Sequence, residues 1–292
     1  MTKRFGVKTS SVEQERHMSD HRFIAAMDHS GGSTGGVLER YGQAYTEDDK
    51  MDKVHAMRMR MVNSPDFNDK NIWAAILYKD TVERGMVNIL DKMGIDTFLK
   101  IDSGCEENGM LKQFPVKQML EFATSADENG ASIGPKIYGT KMRSIVKSVD
   151  MVDAVLKQQF TIAQTISEYG LVPIIEPEVP IDHPDKELIE LQLYALLEVY
   201  LQGKDFPVIL KLTPPETPNL YHNLTVKPNV EKVVFLSGGY STNEACNRLG
   251  LNENVSASFS RALSQDLQYD LTDAEFNATI SNNIKQITKA SE

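Results

Sequence analysis

Eight short apolar runs, each followed by a polar or glycine-containing turn and then a stretch of helical periodicity, are the strongest constraint this sequence places on its fold. They span Phe23–Met27, Ile72–Tyr78, Thr97–Ile101, Pro135–Thr140, Leu171–Ile175, Phe206–Leu210, Lys232–Leu236 and Val255–Phe259. Strands that alternate with helices in this way form a parallel sheet, and eight such units predict a closed (β/α)8 barrel. An open, doubly wound sheet with a small cap is the competing topology. The 292 residues suit one barrel domain spanning 1–292, with residues 1–22 as an N-terminal helical extension, and no Pro/Gly/Ser linker or charge block divides them.

Two of the intervening stretches are well marked as helices. Ser148 to Tyr169 carries apolar residues at Met151, Val155, Phe160 and Ile166 and closes on Gly170 at a C-cap position. Glu187 to Tyr200 has the same character. Ser241-Thr-Asn-Glu244 has capping-box spacing, so a further helix is expected to start there.

Side chains alternate along a strand, and in a barrel one set fills the interior, where an unpaired charge is costly. Yet Lys100 and Asp102 share one parity, as do Lys141 and Arg143, and Glu176 and Glu178. Asp28 ends the first run and Lys211 the sixth. Five of the eight strands thus bring an ionisable group to their C-terminal end, the end that carries the active site in barrels of this kind. Solvated strand ends or a self-neutralising ion network would explain any one of these residues; their coincidence points to a site for an acidic substrate.

Lys211 stands apart, because Val208, Ile209 and Leu210 precede it and Leu212 follows. Desolvation and a neighbouring cation, for which Lys141 is the candidate, both favour a neutral, nucleophilic amine. The bland alternative is a lysine snorkelling from a strand end. The seventh run ends Leu236-Ser-Gly-Gly239 and leads into the capped helix, offering an anion N–H groups, a hydroxyl and a helix N-terminus. The eighth ends Ser258-Phe-Ser-Arg261, adding hydroxyls and a guanidinium suited to phosphate. The loop Ser30-Gly-Gly-Ser-Thr-Gly-Gly36 is a second anion candidate or simply a flexible turn.

Composition closes off other classes. A net charge of −10 is the wrong sign for broad attraction to nucleic acid or anionic lipid, and no apolar stretch is long enough to span a membrane. Cys105 and Cys246 are too few for a disulfide framework, and the opening residues lack an apolar signal core, so a reducing cytoplasm is expected. No strand end carries a His-x-His or a histidine beside a carboxylate pair, and no G-x-G-x-x-G follows a strand. Neither a metal nor another cofactor is therefore expected. Met57, Met59 and Met61 read as packing residues. The sequence allows a homo-oligomer without fixing its size.

Taken in order, Met27-Asp28-His-Ser30-Gly-Gly-Ser33, Phe98-Leu-Lys100-Ile-Asp102, Gly139-Thr-Lys141-Met-Arg143, Gly170-Leu-Val-Pro-Ile-Ile-Glu176-Pro-Glu178, Leu210-Lys211, Phe235-Leu-Ser237-Gly-Gly239 and Phe259-Ser-Arg261-Ala-Leu263 resemble the strand ends of class I fructose-bisphosphate aldolase, in its short bacterial-type branch. The resemblance implies a metal-independent carbon–carbon lyase of glycolysis and gluconeogenesis. It would cleave fructose 1,6-bisphosphate reversibly into dihydroxyacetone phosphate and glyceraldehyde 3-phosphate through a lysine Schiff base. Carried over by position, Lys211 would be the nucleophile, Glu176 the proton carrier in carbinolamine formation and dehydration, Asp28 the base for the C4 hydroxyl, and Lys141 a polarising cation. Ser237, Gly238, Gly239 and Arg261 would hold the phosphate beside the ketone, and Lys100, Ser30 and Ser33 the distal phosphate, with Arg143 and Glu178 completing the lining.

The sequence also departs from that pattern. The arginine the family carries after the first Gly/Ser loop is Val37 here, its tryptophan between the lysine and arginine of the fourth strand is Met142, and the glycine before the phosphate arginine is Ser260. Animal members end in a tyrosine that assists proton exchange, whereas this sequence ends Lys289-Ala-Ser-Glu292. The rival readings are a transaldolase-type Schiff-base barrel, which would depend on an acceptor, and a barrel that binds phosphosugars without turning them over.

Overall fold

A computed structural model of the chain describes residues 21–29, 34–125 and 136–292. The elements run β1 (Phe23–Met27), α1 (Thr34–Arg40), α2 (Lys50–Val62), β2 (Ile72–Leu77), α3 (Lys79–Glu83), α4 (Met86–Lys92), β3 (Asp96–Lys100), α5 (Val116–Thr124) and β4 (Gly139–Ile145). They continue with α6 (Val152–Glu168), β5 (Val172–Glu178), α7 (Lys186–Leu201), β6 (Val208–Leu212), α8 (His222–Thr225), β7 (Val230–Phe235), α9 (Thr242–Leu249), β8 (Ser256–Ala257) and α10 (Asp273–Ala290). The strands lie side by side in sequence order, all neighbours parallel. The amide of Ala26 donates to the carbonyl of Phe259 at 3.1 Å and brings the last strand round to the first. The result is a (β/α)8 barrel. The N-terminal extension read over residues 1–22 falls almost wholly outside the described residues.

Strand alternation sorts the apolar residues into two cores. Ile24, Ala26, Trp73, Ala74, Ile76, Phe98, Val172, Ile174, Ile209 and Val234 pack together inside the barrel. Their sequence neighbours, including Ala25, Leu99, Ile175, Leu210 and Val233, join the larger core between the strands and the surrounding helices. Val155, Leu156, Phe160, Ala163 and Ile166 form the buried side of α6, which ends at Gly170 with φ 75°, a backbone that glycine adopts without strain. Met57 and Met61 are buried in the outer core, as packing residues should be.

The fourth strand departs from expectation. Its apolar run suggested residues 135–140, but β4 begins at Gly139 and continues to Ile145. Pairing with β5 decides this, since Gly139 sits opposite Val172 and Arg143 opposite Glu176. A Cβ at Gly139 would run into the Val172 carbonyl and lie 2.6 Å from the Phe98 ring, so the strand can pack this closely only with glycine there. Lys141 and Arg143 are thus strand residues, as their shared parity requires. Likewise β5 runs on through Pro177 to Glu178.

Candidate active site

The C-terminal ends of the strands surround a cavity of about 390 Å³. Arg40, Lys100, Lys141, Arg143, Lys211 and Arg261 line it, together with Asp28, Glu176 and Glu178. The cationic excess occurs in a chain of net charge −10, so the mouth has the opposite sign from the molecule as a whole.

Four charged groups form a continuous line across the cavity floor. Lys211 Nζ lies 3.2 Å from Glu176 Oε1, and Lys141 Nζ lies 2.8 Å from Glu176 Oε2 and 3.0 Å from Asp28 Oδ2. The Lys141–Glu176 approach is a charge contact off the line of a hydrogen bond. Lys141, Glu176 and Lys211 are each buried to within 4% exposure, so these charges act with little screening by water. Lys141 and Lys211 meet on one carboxylate, each at a different oxygen of Glu176. The acceptor for a proton leaving Lys211 is therefore part of the floor itself.

Local structure fixes this line from behind. Gln159, fully buried on α6, accepts from the Glu176 amide at 3.0 Å and donates to the Glu176 carbonyl at 3.1 Å. The Thr213 hydroxyl, just beyond β6, accepts from the amide of Val179 at 3.0 Å and donates to its carbonyl at 2.8 Å. The ends of β5 and β6 are pinned where their inward side chains meet.

Burial alone would raise the carboxyl pKa of Asp28, but the ammoniums of Lys141, Lys211 and Lys100 outweigh it and hold Asp28 well below the usual carboxylate range. Glu176 behaves alike: burial pushes it up, and Lys141, Lys211 and Arg143 bring it below its ordinary value. For Lys141, burial favours loss of the proton, yet Asp28 and Glu176 keep the ammonium well above the normal lysine value. Two ionised carboxylates and a permanent cation are thus built into the floor. Glu178 differs, since burial raises its carboxyl against the pull of Arg143, its partner at 3.0 Å. Two same-side carboxylates on one strand therefore have different proton affinities.

The opposite wall is built from backbone. After β7, Ser237 is buried and Gly238 and Gly239 take φ of 55° and 111°, which turns the chain sharply against the cavity. Added Cβ atoms would lie 2.8 Å from Ile181 at Gly238 and 3.6 Å from the Arg261 guanidinium at Gly239. Ser241 does cap α9, accepting from the Glu244 amide at 3.2 Å, but the glycine turn and not the helix N-terminus reaches the cavity. Ser258 is 1% exposed, lines the same wall, and its hydroxyl has no hydrogen-bond partner.

The structure gathers Asp28, Lys100, Lys141, Arg143, Glu176, Glu178, Lys211, Ser237, Gly238, Gly239 and Arg261 around one cavity. Lys100 is 3.7 Å from Asp102, and Arg143 is tied to Glu178. Ser30 and Ser33 lie outside the described residues. Sequence reasoning missed three side chains. Arg40 ends α1 one helical turn beyond Val37; Val37 itself is buried in the outer core, whereas Arg40 lines the cavity. Burial and the nearby charge of Arg261 push the Arg40 guanidinium below its ordinary value, which indicates two cations facing the same space. His29 lines the cavity beside Asp28, and burial, opposed by Asp28 and aided by Arg58, lowers its imidazole to about 4. Gln159 is the third; its helical position gave no hint that it grips a strand. Among the described residues, no group of three or more His, Cys, Asp and Glu side chains is placed to hold a metal ion.

No family model matches the chain. Among solved structures, the fructose-bisphosphate aldolase of Plasmodium falciparum, in a ternary complex with TRAP and a small-molecule inhibitor, has a similar fold. Its TM-score is 0.72 at 19% identity, over 96% of this chain and 93% of that one. Two relatives are far closer in sequence. The class 1 fructose-bisphosphate aldolase of Clostridium acetobutylicum is 42% identical over 298 aligned residues, covering 97% of this chain and 99% of that protein. The class 1 fructose-bisphosphate aldolase of Synechocystis is 43% identical over 296 aligned residues, covering 96% and 97%. Identity at that level along nearly the whole of both chains means that this chain belongs to the class I fructose-bisphosphate aldolases.

Proposed function

We propose that this chain cleaves fructose 1,6-bisphosphate reversibly into dihydroxyacetone phosphate and glyceraldehyde 3-phosphate, with Lys211 as the Schiff-base nucleophile. The observation that carries the reading is the unbroken line Lys211–Glu176–Lys141–Asp28, with neighbours at 2.8 to 3.2 Å, at the bottom of a cation-rich cavity. Glu176 takes a proton from Lys211 as the amine attacks the ketone and returns it to the departing hydroxyl, leaving an iminium and water. Asp28, held ionised, removes the C4 hydroxyl proton. The electrons of the C3–C4 bond then flow into the iminium, which becomes an enamine as the aldehyde leaves. Lys141 keeps its proton throughout and stabilises the carboxylates between which the charge moves. Reprotonation at C3 and hydrolysis release dihydroxyacetone phosphate.

Ser237, the turn at Gly238 and Gly239, Ser258 and Arg261 suit the phosphate beside the ketone. Arg40 supplies a second guanidinium in the place left by Val37. Lys100 and Arg143, which also line the cavity, are assigned to the second phosphate. Among the described residues no helix is long and apolar enough to cross a membrane, and both Cys105 and Cys246 are unpaired. These features suit an enzyme of the cytoplasm. The test is release of triose phosphates from fructose 1,6-bisphosphate in the presence of EDTA and without an added acceptor. Full activity is expected, because the iminium is the electron sink. Complete loss that zinc restores, or an absolute need for an acceptor aldehyde, would overturn the reading.

A further inference from the structure

The joint between β1 and β8 is built differently from the other seven. β8 comprises only Ser256 and Ala257. Beyond the backbone bond from Ala26 to Phe259, the joint is continued toward the cavity by a side-chain bond, with Ser260 Oγ 2.9 Å from His29 Nε2. The neighbours of these two residues are telling. Asp28 precedes His29 and Arg261 follows Ser260, so the bond lies between the carboxylate assigned to the C4 hydroxyl and the guanidinium assigned to the phosphate.

Both ends of the bond are themselves anchored. Arg58, 2% exposed on α2, donates to the His29 carbonyl at 2.6 Å and to the Thr81 hydroxyl at 2.5 Å. The Ser260 carbonyl accepts from the amide and the hydroxyl of Ser264, each at 3.2 Å. An imidazole so placed among Arg58, Arg40 and Lys141 stays uncharged, which lets it bridge the two loops without adding another cation to the cavity. None of the chemical steps above uses His29 or Ser260.

We propose that His29 is a positioning residue, whose bond to Ser260 fixes the phosphate-gripping Arg261 relative to the Asp28 carboxylate, so that a phosphate seated at Arg261 sets where Asp28 meets the sugar. The assignment rests on the aldolase reading. Orientation of this kind is how binding energy at a remote group becomes rate at the reacting one, and a misplacement of about 1 Å can cost on the order of 10²-fold.

The test compares His29→Leu, Ser260→Ala and His29→Gln, whose amide can reach the place of Nε2. Fructose 1,6-bisphosphate and fructose 6-phosphate, which lacks the phosphate beside the ketone, serve as substrates. His29→Leu and Ser260→Ala should each lower kcat on the bisphosphate by about tenfold or more, with less than a threefold loss on the monophosphate. His29→Gln should recover most of that loss. Inorganic phosphate should bind His29→Leu within about threefold of the wild type, because Arg261 itself is intact. Equal losses on both substrates, no loss, failure of the glutamine to rescue a stably folded variant, or a collapse of phosphate binding would each overturn the assignment. A wild-type protein that cleaves neither substrate would overturn the aldolase reading and this assignment with it.

Discussion

Two residues along a strand separate two very different halves of the barrel interior. At the floor, where the strands begin, Phe98 packs edge-on against Trp73 at 5.9 Å and Tyr138 at 5.4 Å. One inward position further on, Phe98 is followed by Lys100, Gly139 by Lys141, Ile174 by Glu176 and Ile209 by Lys211. The floor is not free of charge, however. Lys232 sits 5.2 Å above the Trp73 ring and donates to the Arg22 carbonyl at 3.1 Å, and the Tyr138 hydroxyl meets the Glu231 carboxylate. Burial of charge is common to both ends. The difference is that the floor holds its polar groups in a packed layer of rings, whereas the mouth sets ammonium against carboxylate around open space. The first arrangement stabilises; the second can move protons.

The largest expected effect of breaking this contrast is at Glu176, where both lysines meet. Glu176→Gln keeps the size of the side chain and removes its charge and its capacity to carry a proton. Steady-state cleavage should fall by about 10²- to 10⁴-fold while the protein stays folded. Glu178→Gln, on the same strand and facing the same way but paired with Arg143, should cost far less. Equal effects from the two would mean that the line through Lys211 and Lys141 is not the working part of the mouth.

Much of that line was legible in the sequence, because strand parity is a rule with few exceptions: Lys141 with Arg143, Glu176 with Glu178, and Lys211 among aliphatic residues all face inward as their spacing requires. Parity alone does not separate Lys211 from Lys232, since both face inward from strands rich in aliphatic residues. Their places at the end and near the start of a strand do. Other features depend on distances the sequence does not contain. Arg40 reaches the cavity because of where α1 begins and how it is turned, and Gln159 grips a strand seventeen positions away. His29 bonds to a serine 231 positions away, a partner that spacing along the chain does not reveal. The shift of β4 by several residues has a similar origin, since the close approach of Phe98 at Gly139 is a tertiary fact.

A smaller effect should sharpen the contrast at the rim of the mouth. Arg40→Ala leaves the line from Lys211 to Asp28 untouched and removes one of two neighbouring guanidiniums. It should weaken kcat/KM for fructose 1,6-bisphosphate by about ten- to a hundredfold, chiefly through KM, as expected for loss of a charged hydrogen bond. An unchanged KM would remove Arg40 from the phosphate site and leave Arg261 to act there alone.

The smallest effect on catalysis should come from the barrel floor. Lys232→Met removes a buried cation as large a step as any at the mouth, yet kcat should stay within about twofold, because no reacting group is nearby. The loss of its carbonyl bond and ring contact should instead lower Tm by roughly 2–4 °C. A large fall in kcat with Tm preserved would break the distinction between the two ends.

The central claim, that the amine of Lys211 is the nucleophile, is tested most directly by the position of the trapped substrate. The protein is incubated with dihydroxyacetone phosphate, reduced with borohydride, digested and mapped by mass spectrometry, with Lys211→Met treated in parallel. Methionine matches the length of the lysine stem and removes a buried ammonium, while Lys141 still pairs Glu176, so the variant should fold. The account predicts one reduced adduct, on Lys211, and none in Lys211→Met. An adduct on Lys141 or Lys100, or one that persists in the folded Lys211→Met variant, would contradict it.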